Sequence, residues 1–248
     1  MTVRTFSRVA VVVAMALAFT GLLGGPAFAQ TQAVSLAGTT VQVQVWPEID
    51  QNTLVIVGAI LPTDTPLPAT VELPLPLGAS VQWAGEIEGT STDMDIQRAH
   101  EIVPANGGSA VRFTIEQHRS FQYEAFLSPS TVNGDQRDVT LDWVHTVPSL
   151  DLSVAWRFPA GVTVVSLDPD APGQPVSNAA GETLYTLVSV QPQPGDTLAF
   201  KASYRVPGSA TEQGGGVGPL QIVIGLLVVA ATALVIALAR QRQATGTE

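Results

Sequence analysis

Cysteine is absent from all 248 residues. That excludes disulfides, thiol nucleophiles, cysteine-ligated metals and thioether-linked haem. Positive charge is scarce as well: eleven Lys and Arg stand against 21 Asp and Glu, for a formal charge of −10. Four of the basic residues (Arg4, Arg8, Arg240, Arg242) lie at the two ends, where Glu248 is the only acid, so the middle of the chain is more acidic than the whole. An acidic surface repels phosphate polymers and anionic headgroups, so no nucleic-acid partner is expected. Histidine is limited to His100, His118 and His145, and no two of them have a metal-ligand spacing. The sequence also lacks G-x-S-x-G, the P-loop, G-x-G-x-x-G and H-E-x-x-H. No enzymatic activity and no cofactor are expected.

Long apolar runs are present, and both are terminal. Arg4 and Arg8 precede a charge-free stretch from Val9 to Leu23, Gly24-Gly25-Pro26 breaks it, and Ala27-Phe28-Ala29 fits a small-x-small cleavage site. Residues 1–29 therefore read as a signal peptide. Residues 219–239 form the second run, in which 220–239 carry no charge. At about 1.5 Å per residue that length matches the hydrocarbon core of a bilayer. Arg240 and Arg242 follow directly and place the tail, 240–248, on the cytoplasmic side. Residues 208–218 are a Gly-rich tether. The expected topology is a single-pass protein of the cytoplasmic membrane with its ectodomain outside the cytoplasm.

Between the ends, period-two alternation dominates and no amphipathic helix interrupts it. Val41, Val43 and Val45 alternate with Gln42 and Gln44; Val111, Phe113 and Ile115 alternate with Arg112 and Thr114. Leu54 to Leu61 is continuously apolar, as a strand covered on both faces would be. Val81, Trp83 and Ile87 share one parity, and Gln82, Glu86 and Glu88 the other. After the turn-rich stretch 128–135, the alternation resumes through Trp143, Trp156 and Tyr204. This predicts an all-β, Ig-like β-sandwich ectodomain of one or two units, 36–128 and 137–207, plus the C-terminal transmembrane helix.

Three features invite a functional reading. The run from Glu86 to Asp95 is the strongest metal candidate, because Glu86, Glu88, Asp93 and Asp95 would offer the hard oxygens calcium prefers. Without a calcium-loop motif, a solvated strand face and turn is the preferred reading, and no metal is assigned. Trp46 shares the face of Gln42 and Gln44, and so is the tryptophan placed to be exposed as a sugar-stacking ring. Trp83, Trp143 and Trp156 lie on apolar faces and are expected in the core. The three histidines are read as structural.

The segments Val41-Gln42-Val43-Gln44-Val45-Trp46-Pro47-Glu48, Leu67-Pro68-Ala69-Thr70-Val71-Glu72-Leu73-Pro74 and Phe121-Gln122-Tyr123-Glu124-Ala125 resemble a group of uncharacterised bacterial exported, C-terminally membrane-anchored β-rich proteins. The resemblance implies the same plan of signal peptide, β-rich ectodomain and terminal helix. By fold-level association it also implies work in envelope assembly or cytochrome maturation; no site residue comes with it. The expected function is a non-enzymatic, membrane-tethered scaffold of the bacterial envelope whose partner is another envelope protein. A carbohydrate or cell-wall binding module is the first alternative and a metal-dependent hydrolase the second. No small-molecule ligand is specified.

Overall fold

The computed structural model describes residues 32–47, 52–89 and 94–207. The stretches read as signal peptide (1–29), tether (208–218), transmembrane span (219–239) and tail (240–248) lie outside the described residues, as does Asp93. Among the described residues, no helix is long and apolar enough to cross a membrane.

The described chain is all-β. Its strands are β1 (Leu36–Trp46), β2 (Asn52–Ile60), β3 (Ala69–Leu75), β4 (Ser80–Glu86), β5 (Ile96–Gln97), β6 (His100–Ala105), β7 (Gly108–Ile115) and β8 (Ser120–Pro129), followed by β9 (Thr131–Asn133), β10 (Gln136–Val144), β11 (Ser149–Phe158), β12 (Thr163–Asp168), β13 (Val176–Ser177), β14 (Thr183–Thr186) and β15 (Thr197–Arg205). They form an eight-stranded sheet (β13-β14-β11-β1-β2-β8-β4-β5), a four-stranded sheet (β12-β15-β10-β9) and a three-stranded sheet (β3-β7-β6).

Alternation decides which side chains meet. In β1, Val41, Val43 and Val45 face inward; on neighbouring β11, so do Leu152, Val154 and Trp156. Val139, Leu141 and Trp143 of β10 and Phe200, Ala202 and Tyr204 of β15 join the same core. The Tyr123 hydroxyl, fully buried, donates to the Pro74 carbonyl and ties the large sheet to the three-stranded one.

β1 and β11 pair in parallel, in register from Thr40 with Asp151 to Val45 with Trp156. The stretches 36–128 and 137–207 therefore share a sheet and a core. The boundary drawn through 128–135 runs inside one body: β8 reaches Pro129, and Thr131–Asn133 pairs back onto β10.

The parity read along β4 fails halfway. Val81 stands opposite Ala125, yet Trp83 stands opposite Glu124, so Gln82 is an extra residue on the bulged strand. A one-residue bulge exchanges the two faces of everything beyond it. Trp83 turns outward and is only half-buried, whereas Ala84 and Glu86 turn toward the core opposite Tyr123 and Phe121.

Candidate functional site

Glu86 is the outcome of that bulge. Its side chain is 0% exposed, where alternation alone had put it in water. Burying a carboxylate is tolerable only when it is paired and hydrogen-bonded, and here every lone pair is addressed. Oε1 accepts the backbone N–H of Glu116 at 2.8 Å and the Arg98 Nε–H at 2.6 Å. Oε2 accepts the backbone N–H groups of Gln117 at 2.7 Å and His118 at 2.6 Å. Arg98 Nη1 reaches on to Glu116 at 2.9 Å. Burial pushes the Glu86 carboxyl up, but the three backbone donors and Arg98 outweigh it and hold the group below the usual carboxylate range. The carboxylate thus fastens the turn between β7 and β8, and its oxygens are not free for a metal.

The other acids stay on the outer side. Asp95 Oδ1 accepts the Glu88 backbone N–H at 3.2 Å, and Glu88 lies 3.4 Å from His118 Nε2. Burial pushes both Asp95 and Glu124 upward, and the charge of Asp95 adds to the shift at Glu124. The structure therefore separates the predicted set: Glu86 inside, Glu88 and Asp95 outside. Among the described residues, no group of three or more His, Cys, Asp or Glu side chains could hold a metal ion.

Trp46 is not an exposed ring. It is 6% exposed; its indole N–H donates to Gln44 Oε1 at 3.0 Å, and the Arg157 guanidinium covers its face at 4.0 Å. Arg157 is itself buried. It pairs with Glu182, which Asn178 also holds at 2.6 Å. This cation–π contact and ion pair fix the β13–β14 hairpin to the sheet. The sugar-stacking role proposed for Trp46 has no open ring face here.

A third buried polar group is one of the histidines read as structural. His145 is fully buried, with Trp143 Nε1 at 3.3 Å from its Nδ1 and Ser149 Oγ at 3.1 Å from its Nε2. A serine–histidine pair suggests a nucleophile and its base, but the hydrogen-bond directions forbid that. The indole can only donate, so Nδ1 is the acceptor and Nε2 carries the proton. Nε2 then donates to Ser149, whose hydroxyl points on to the Asp151 carbonyl at 3.3 Å. A base must have a vacant nitrogen facing the hydroxyl. Burial lowers the affinity of His145 for a second proton, although Asp196 and the Val147 carbonyl oppose the shift. Asn106, also near this end of the sheets, donates to the Thr146 carbonyl at 2.6 Å.

No family model matches the chain, and no curated protein matches it in sequence. Among solved structures, native yeast LTA4 hydrolase is similar at a TM-score of 0.37 and 9% identity, over 69% of this chain and 28% of the hydrolase. The chain thus spans little more than a quarter of that enzyme's length. The folded domain of the Mycobacterium tuberculosis LppM protein is similar at a TM-score of 0.32 and 10% identity, over 71% of this chain and 95% of that domain. Likenesses this distant carry no argument about activity.

Proposed function

We propose that this protein is a non-enzymatic, membrane-tethered interaction module of the bacterial envelope. In this reading 1–29 is a cleaved signal peptide, 208–218 a tether and 219–239 the anchor, and the ectodomain is a β-sandwich of Ig-like kind. The eight-stranded sheet sharing one core with the two smaller sheets supports the sandwich. The parallel β1–β11 pair departs from the all-antiparallel Ig plan.

The observation that carries the proposal is how the connecting segments are held. Glu86 fastens the β7–β8 turn, Arg157 and Glu182 fasten the β13–β14 hairpin, and His145 with Ser149 fastens the β10–β11 connection. The polar residues best suited to chemistry are thus spent on fixing loops. A surface of pre-fixed loops binds without the entropy loss of ordering them, which suits a module that presents a rigid face to a partner.

The test is crosslinking in the native membrane. A photo-crosslinking residue placed at exposed positions around the ectodomain should give a discrete adduct with another envelope protein from one face only. Uniform absence of adducts at every position, with the protein folded and at its native level, would refute the proposal.

A further inference from the structure

The edge of the four-stranded sheet, the end of β8 and the β3–β4 turn border an open cleft of about 240 Å³. Leu127 and Ser128 enter it from β8, Asp138 and Thr140 from β10, and Leu77 with Gly78 from the β3–β4 turn. Gly78 lies at its rim with a φ of 75°, which suits a residue without Cβ. Drug-sized ligands occupy roughly 300–1,000 Å³, so this space fits something smaller.

The walls specify what. Four hydroxyl-bearing residues, Ser128, Ser130, Thr131 and Thr140, line the cleft, and a hydroxyl can both donate and accept. Asp138 supplies a carboxylate held in place from one side only. Its Oδ1 takes the Ser203 hydroxyl and the Gln136 amide, the latter at 3.1 Å, while Oδ2 has no hydrogen bond from a described residue. Leu77, which is 53% exposed, adds apolar surface. The carboxylate and the acidic chain disfavour an anion. A simple amine would satisfy Asp138 and leave the hydroxyls without partners. A ring bearing several hydroxyls satisfies the carboxylate and the hydroxyls together and lays its C–H face on Leu77.

We propose that this cleft binds one saccharide unit, with Asp138 Oδ2 accepting from two of its hydroxyls. The site is far in sequence from Trp46 and uses no aromatic ring, and it stands independently of the partner-protein reading above.

The test is ligand-observed saturation-transfer NMR on the full chain, in a detergent without a sugar headgroup, with glucose, galactose and N-acetylglucosamine as probes and ethylamine as the competing class. At least one sugar should bind saturably. Asp138→Asn, which keeps the oxygen facing Ser203 but turns the other into a donor, should weaken binding at least tenfold, in keeping with loss of a hydrogen bond to a charged acceptor. Ser128→Trp, which fills the cleft from its rim, should abolish it, and Gln191→Ala, in a separate loop, should change nothing. Circular dichroism confirms that each variant is folded. The proposal is overturned if no sugar binds folded wild-type protein, if ethylamine alone binds, or if binding survives both cleft variants.

Discussion

Glu86 and Glu124 sit on adjacent strands of one sheet and respond to acid in opposite ways. The Glu86 carboxyl titrates below its ordinary range because of the donors around it. Its stabilisation is therefore present above the ordinary range and is lost as pH falls through the lowered value. Glu124 titrates above its ordinary range because of burial and Asp95. Its ionised form weakens the fold at neutral pH, and that penalty is relieved as pH falls through the raised value. Glu86→Gln should lower stability by about 3–5 kcal/mol at pH 7, since it leaves Arg98 and three backbone donors around a neutral group. Glu124→Gln should raise the melting temperature at pH 7 and leave it unchanged at pH 3. Thermal melts across that range check both. Trp46 belongs at this scale as well: Trp46→Ala should cost about 3 kcal/mol or more, close to Trp143→Ala, because both rings are buried. Denaturant midpoints decide it; a loss below about 1 kcal/mol for Trp46 would mean its ring is solvated after all.

Most strands were legible because alternation is a local signal. β1, β7, β10, β11 and β15 all follow the valine, phenylalanine and tryptophan parity that marks a half-buried strand. Charge-free Leu54–Leu61 read as a central strand, and β2 lies between β1 and β8. What stayed hidden was non-local. Nothing near Val41 says that β1 pairs in parallel with a strand more than one hundred residues away. The bulge at Gln82 carries no sequence mark either, and by exchanging faces it misplaced Trp83 and Glu86 together. The Arg157–Trp46 contact and the Ser149–His145 pair likewise depend on register, so the residues were visible and their partners were not. Gly85 shows what this element tolerates. A Cβ there would lie 2.1 Å from the Ile96 carbonyl oxygen and 2.8 Å from the Trp83 ring. Gly85→Ala should therefore break the β4–β5 pairing at a cost of about 3 kcal/mol. Hydrogen exchange at the Arg98 amide, which now bonds the Ala84 carbonyl at 2.9 Å, should accelerate strongly; unchanged protection would contradict the assigned packing.

At the scale of the molecule, the proposed topology puts one acidic all-β body outside the membrane on a Gly-rich tether. Both proposed roles require that topology, since a partner in the envelope or a sugar in the cleft must reach the ectodomain from outside. The absence of cysteine makes the topology directly measurable, because one introduced thiol is the only one in the chain. Val176→Cys puts it on the ectodomain at a side chain that is 67% exposed, and Thr247→Cys puts it in the tail. Intact cells treated with a membrane-impermeant maleimide should label Val176→Cys fully and Thr247→Cys only after the membrane is permeabilised. Labelling of Thr247→Cys on intact cells, with Val176→Cys protected until permeabilisation, would contradict the account.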